Sequence, residues 1–122
     1  HPQELSALLN GVKSLYPNQP ITVVFQPHLY SRTQDQANGF AECLQMADNV
    51  ILLPIYPARE LPIEGVTSEM IAKKMGNHSV RCLSKQATLT TIKAEKPALV
   101  VLAGAGDIDL MINDIKQIMQ QY

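Results

Sequence analysis

The chain has 122 residues, with ten Lys and Arg against eleven Asp and Glu and a formal net charge of -1. That length predicts one ordinary domain that needs no disulfide or metal to hold it together. The balanced charge argues against sequence-independent binding of nucleic acid, which requires an excess of basic side chains. No stretch approaches the roughly 18 consecutive apolar residues of a membrane-spanning helix. We therefore expect a soluble, cytoplasmic protein that binds neither nucleic acid nor a membrane.

The two cysteines, Cys43 and Cys82, lie in apolar segments and belong to no CxxC or Cys/His cluster. We expect them to be buried, reduced thiols rather than a disulfide or a metal site. The chain opens on His1 and Pro2 without an initiator methionine or a signal-peptide pattern. We therefore expect it to be part of a longer protein.

Apolar residues recur alternately at helical and at strand spacing along the chain. The pattern predicts helices over residues 3–16, 34–46, from Thr67 or Ser68 to about 76, 85–95 and 107–120, and strands over 21–25, 49–54, 79–83 and 98–102. Strands that alternate with helices of this length favour parallel pairing through crossover connections. The predicted fold class is therefore α/β, a three-layer α/β/α sandwich with a Rossmann-like, mostly parallel sheet, forming a single domain over residues 1–122.

The stretch from Phe25 to Thr33 gathers an imidazole, a phenol, two hydroxyls and a guanidinium between a predicted strand and a predicted helix. Loops held on a rigid scaffold are where binding groups concentrate. In an open parallel sheet, the loops that leave the carboxyl ends of the strands open on one edge. Segments 26–33, 54–65 and 103–107 each leave such an end. We therefore expect them to converge on one site, suited to a small anion.

Each polar residue in this stretch has an alternative to a binding role. Arg32 can grip a carboxylate or phosphate through two parallel hydrogen bonds, or it can pair with Asp35, and spacing does not decide between these. His28, which follows Pro27, can donate to an oxyanion, although a single loop histidine is more often simply solvated. Tyr30 is expected to pack rather than to react.

Gly104 and Gly106 precede the last predicted helix. Their backbone N–H groups could approach a phosphate, but a tight strand-to-helix turn with Asp107 as helix N-cap also explains them. Glu60 is expected to be solvated or paired with Arg59. No GxxxxGK[ST] segment is present, so the chain lacks the usual loop for cradling a triphosphate.

Several segments, taken in order, resemble the carboxy-terminal domain of the Mur ligases. His1 and Pro2 resemble the end of the Tyr-x-His-His-Pro signature that opens that domain. The likeness covers essentially the whole chain and is strongest to the family members that add L-alanine to UDP-N-acetylmuramate. The other matching segments are Phe25–Thr33, Ala47–Asp48, Ile55–Glu60, Pro62–Val66 and Gly104–Ile108.

The resemblance implies the last part of a three-domain, ATP-dependent ligase of peptidoglycan biosynthesis. An amino-terminal domain would hold UDP-N-acetylmuramate, and a central domain would hold Mg²⁺ and most of the ATP. The carboxy-terminal domain would close over them as a lid that brings the amino acid. The chain alone is then expected to bind no cofactor or metal ion and to be inactive.

Residue by residue, the resemblance makes Arg32 the group that holds the alanine carboxylate. It makes His28 a catalytic histidine facing the transferred phosphoryl group, and His1 a substrate-binding residue near the amino acid. Leu29 stands where the family often has arginine, so one of two carboxylate-binding arginines is missing. Two alternatives remain open: a stand-alone α/β module that binds a small anion, and a related Mur ligase that adds a preformed peptide.

Overall fold

A computed structural model describes all 122 residues and shows a four-stranded sheet with helices on both faces. All strands are parallel and lie in the order β3-β2-β1-β4, which confirms the predicted α/β class. None of the helices has the length and apolar character needed to span a bilayer. The elements are α1 (Pro2–Leu15), β1 (Thr22–Gln26), α2 (Tyr30–Leu44), β2 (Asn49–Leu52), α3 (Ser68–Lys74), β3 (Val80–Cys82), α4 (Lys85–Glu95), β4 (Val100–Gly104), a 3₁₀ turn (Asp107–Met111) and α5 (Ile112–Gln120).

Each face of the sheet has its own hydrophobic core, and the central strand β1 contributes to both. Val23 and Phe25 point into the larger core, which is shared with α1, α2 and α3. Val24 points into the smaller core, which is shared with α4, the 3₁₀ turn and α5. A parallel strand covered on both faces is apolar along its length rather than alternating. This burial explains why β1 could be recognised from sequence as a continuous apolar run.

Two helix starts differ from the prediction by more than one residue. Helix α2 begins at Tyr30 rather than at residue 34, so Arg32 lies in its first turn and not in a loop. The residue before the helix, Leu29, has a positive φ of 67° and offers no side-chain cap. The last predicted helix is divided, because the 3₁₀ turn precedes α5 at Ile112.

The two cysteines are free and partly buried. Burial raises the pKa of the Cys82 thiol to about 11, and Glu69 adds to the effect. Burial also raises the pKa of Cys43, and the charge of Glu42 adds to that shift. Both thiols are therefore expected to stay protonated at neutral pH.

A thiol-labelling experiment checks this expectation. A disulfide reagent at about pH 8 should label Cys82 roughly 100-fold more slowly in the folded chain than in denaturant, because only the thiolate reacts and its fraction falls with rising pKa. The Cys43→Ser variant isolates the rate of Cys82, and the same variant in denaturant is its control. Equal folded and unfolded rates would contradict the partly buried, protonated state.

Candidate substrate-binding cleft

The segments that follow β1 and β2 are joined by backbone contacts. His28 and Tyr56 form an isolated parallel bridge beyond the ends of the strands. The Leu29 N–H donates to the Tyr56 carbonyl at 2.8 Å, and the Tyr56 N–H donates to the Pro27 carbonyl at 2.9 Å. The predicted convergence of these two segments is thus confirmed.

Gln26 joins the third segment, after β4, to the end of β1. Its side chain is buried, with the amide Nε2 donating to Asp107 Oδ1 at 2.8 Å and Oε1 accepting from the Ile108 N–H at 3.0 Å. The Asp107 carboxylate also pairs with Lys85. Hydrogen bonds first from Lys85 and then from Gln26 lower the pKa of Asp107. The prediction that Asp107 is the N-cap is wrong, because Gly106 occupies that position and Asp107 makes these longer-range contacts instead.

Gly104 and Gly106 let the end of β4 and the segment after it pack closely against Gln26 and Tyr56. A Cβ on Gly104 would lie 2.6 Å from the Gln26 carbonyl oxygen. A Cβ on Gly106 would lie 2.5 Å from Gln26 Oε1 and 2.6 Å from the Tyr56 side chain. Close packing in a tight turn therefore explains both glycines, which is one of the two roles that the sequence left open.

A cleft of about 300 Å³ opens where α1, α2 and the ends of β1 and β4 meet. His1, His28 and Arg32, the three candidate site residues, all line it, whereas Leu29 does not. Phe25 forms part of its apolar lining. The remaining lining residues are Glu4, Leu5, Leu8, Gln26, Gln36, Phe40, Leu102, Ala103, Gly104 and Ala105.

Arg32 is exposed in the first turn of α2. The ion pairs of the chain join Arg81 to Glu95 and Lys85 to Asp107, so Arg32 does not pair with Asp35. Its guanidinium is therefore able to take a carboxylate or phosphate in a bidentate geometry.

His28 is half-buried, which does not fit a simply solvated loop histidine. Its ring stacks on Tyr56, with centroids 5.8 Å apart and planes inclined by 15°. Its Nδ1 is buried and makes no hydrogen bond to the protein. Buried polar atoms are nearly always paired. This nitrogen is the one buried side-chain polar atom of the chain that lacks a partner.

His1 lies at the start of α1 and caps it, since its Nδ1 accepts a hydrogen bond from the Gln3 N–H at 3.2 Å. Its other ring nitrogen, Nε2, is not used by this cap. Gln36 also lines the cleft and was missed in the sequence. It lies four positions after Arg32, and the i, i+4 spacing on a helix could have indicated a shared face.

The prediction that Glu60 is solvated or paired with Arg59 is wrong. Glu60 Oε1 accepts from the Ser31 backbone N–H at 3.0 Å, and its Oε2 accepts from the Ser31 hydroxyl. These two bonds, the hydroxyl first, hold the pKa of Glu60 below its ordinary value. A carboxylate thus lies at the amino end of α2.

No group of three or more His, Cys, Asp and Glu side chains is placed to hold a metal ion. Glu4 is the only acidic side chain that lines the cleft. A magnesium site would need several oxygen ligands. We therefore assign no metal-dependent step to the residues of this chain.

A family model described as Mur ligase, glutamate ligase domain, matches residues 1–106. The chain belongs to the Mur ligase family. This Mur ligase domain is 46% identical over 121 residues to the UDP-N-acetylmuramate--L-alanine ligase of Flavobacterium johnsoniae, covering 99% of this chain and 27% of that protein. It is also 46% identical over 121 residues to the ligase of the same name from Porphyromonas gingivalis W83, covering 98% of this chain and 26% of that protein. The chain thus spans about a quarter of the length of these relatives.

The Mur ligase domain is also similar to a solved structure, the UDP-N-acetylmuramate-alanine ligase of Thermotoga maritima. The TM-score is 0.66 at 24% sequence identity, covering 100% of this chain and 24% of that chain. At this identity the likeness shows the fold alone, and it agrees with the α/β architecture described above.

Proposed function

We propose that this Mur ligase domain is the carboxy-terminal, amino-acid-binding domain of an ATP-dependent ligase that joins L-alanine to UDP-N-acetylmuramate in peptidoglycan biosynthesis. The observation that carries the proposal is the presence of His1, His28 and Arg32 in one cleft. The names of the relatives that match nearly the whole chain support it. A reaction that uses ATP and a UDP-sugar is expected to take place in the bacterial cytoplasm.

The proposed reaction has two steps. The muramoyl carboxylate first attacks the γ-phosphorus of ATP, giving an acyl phosphate and ADP. The alanine amine then attacks the acyl carbon, and the tetrahedral intermediate expels phosphate to leave an amide. Such chemistry chiefly requires positioning and neutralisation of charge. A central domain would hold most of the ATP and the Mg²⁺, and an amino-terminal domain the UDP-sugar.

In this reaction Arg32 would hold the alanine carboxylate and so direct the amine towards the acyl phosphate. Arg32 is the only arginine or lysine that lines the cleft, and Leu29 lies outside it. A single guanidinium would then provide the cationic grip. His1 would lie close to the amino acid, and His28 would face the transferred phosphoryl group with a ring held by Tyr56.

Phosphate release by the full-length gene product and by the 122-residue chain tests the proposal. With Mg²⁺, ATP and UDP-N-acetylmuramate, the full-length protein should release phosphate only when L-alanine is added. The 122-residue chain should release none under the same conditions. Turnover by the short chain, or release without dependence on L-alanine, would contradict the proposal. Release that depends on a preformed peptide instead would favour the related ligase.

A further inference from the structure

The amino end of α2 has no capping group of its own. Leu29 is the N-cap residue and makes no side-chain hydrogen bond, and the first turn contains no acidic residue. The first N–H groups of a helix have no partner within the helix. A side chain that accepts hydrogen bonds from them stabilises the start of the helix, and negative charge at this end is favourable.

Glu60 supplies this missing cap from a distant segment. Its carboxylate accepts from both the N–H and the hydroxyl of Ser31, the second residue of α2. The contact joins residues 29 positions apart in the sequence. Charge-assisted bonds of this kind are stronger than neutral ones. The segment after β2 therefore fixes where α2 begins.

The residues on either side of Ser31 include both central side chains of the cleft. Arg32 follows it directly in the helix, and His28 lies just before Leu29. Leu29 has a φ of 67°, a backbone conformation that residues other than glycine rarely adopt. Such a backbone persists only when its surroundings hold it. A shift of the first turn would therefore move Arg32.

Three sets of hydrogen bonds hold the backbone at Leu29 and the first turn of α2. The Leu29 N–H donates to the Tyr56 carbonyl at 2.8 Å, and the Leu29 carbonyl accepts from the Thr33 N–H at 3.1 Å and from Thr33 Oγ1 at 2.7 Å. The third is the pair of bonds from Ser31 to Glu60. Tyr56 and Glu60 both lie in the segment after β2. That segment therefore binds the chain at Leu29, just before α2, and at Ser31, inside its first turn.

We propose that Glu60 is a positioning residue, which holds the first turn of α2 so that Arg32 faces the cleft in the geometry that grips a substrate carboxylate. This inference rests on the proposed function, because it assumes that Arg32 binds the amino acid. Glu60 itself is outside the cleft lining and touches no reacting atom in this scheme.

Steady-state kinetics of the full-length ligase test the role of Glu60. Glu60→Ala should raise the KM for L-alanine about tenfold, with the KM for ATP and for UDP-N-acetylmuramate changed less than about twofold. Glu60→Gln keeps an acceptor for the Ser31 N–H without the charge, and should show a smaller rise. A purely structural role would instead lower the amount of active enzyme and leave the KM for L-alanine unchanged.

Ser31 provides a second test that removes only one hydroxyl. Ser31→Ala should raise the KM for L-alanine, and adding it to Glu60→Ala should cause little further rise, because the two side chains act through one contact. Glu64→Ala is the matched control, since Glu64 is an exposed carboxylate of the same segment with no hydrogen bond or ion pair. It should leave every constant unchanged.

Failure of this inference can be told apart from failure of the proposed function. If Arg32→Ala raises the KM for L-alanine but Glu60→Ala and Ser31→Ala do not, the positioning role is overturned and the proposed function stands. If none of the three variants changes that constant, the carboxylate-binding role of Arg32 fails, and the role of Glu60 fails with it.

Discussion

Replacing Arg32 by alanine in the proposed full-length ligase is expected to raise the KM for L-alanine roughly 10- to 150-fold. A hydrogen bond to a charged group contributes about 1.5–3 kcal/mol, and the variant would leave the alanine carboxylate without its cationic partner. Arg32 is the only arginine or lysine that lines the cleft, so this chain offers no second cation there. The KM for ATP should change far less, because the proposed contact is to the amino acid.

Initial rates measured against L-alanine, with the other substrates saturating, give the KM for L-alanine separately from kcat. A loss of folded protein would lower the apparent kcat and leave this KM unchanged. Arg32 is exposed and makes no ion pair, so its removal should not unfold the domain. Arg32→Lys should give an intermediate KM, because an ammonium group keeps the charge but not the bidentate geometry.

Arg59→Ala is the matched control for the Arg32 variants. Arg59 is likewise exposed, but it lies in the segment after β2 and does not line the cleft. Its removal should leave the KM for L-alanine within about twofold of the original, as is usual for a surface substitution. A rise confined to ATP, or an equal rise in the Arg59 variant, would refute the carboxylate-binding role.

Helix starts that depend on neighbouring residues could be predicted from the sequence. Thr67 accepts from the Met70 N–H and Ser84 from the Ala87 N–H, each three residues ahead. Both helices begin where these caps indicate. The start of α2 could not be predicted, because its cap comes from Glu60, 29 positions away. The helix is capped by a tertiary contact instead of by a neighbouring residue. It therefore begins at Tyr30, before the first residue of its apolar pattern.

Asp107 failed as a predicted N-cap for a similar reason. Its position before a helical pattern is typical of a cap. However, the fold brings it against Gln26, 81 positions away, and against Lys85, and these partners take its carboxylate. The convergence of the cleft segments was predictable, because it follows from parallel strands alone. The contacts within the cleft were not, since they depend on strand order.

The polar residues of the cleft differ in how far the sequence could identify them. Arg32 and His28 were conspicuous as polar groups beside an apolar strand. Gln26 was not singled out, because its importance lies in two bonds to the segment after β4. Glu60 and Gly104 likewise matter through what they contact. Sequence therefore indicated the groups that face a ligand better than those that hold these groups in place.

Replacing Gly104 by alanine is expected to destabilise the 122-residue chain by about 2 kcal/mol or more. Gly104 has a φ of 142°, and an added Cβ would lie 2.6 Å from the Gln26 carbonyl oxygen. That oxygen belongs to the backbone of the paired strand β1, so no side-chain rotation can relieve the contact. The midpoint of thermal unfolding, followed by circular dichroism, should fall by roughly 6–12 °C.

Gly11→Ala is the matched control for this substitution. Gly11 lies within α1, and an added Cβ there would have nothing within 4 Å. Alanine is favoured over glycine inside a helix, so this variant should be more stable by about 0.5–1 kcal/mol. The same chemical change is thus expected to have opposite signs at the two positions. If Gly104→Ala were neutral while Gly11→Ala stabilised the chain, the end of β4 would be free to shift, and Gln26 would not fix that wall of the cleft.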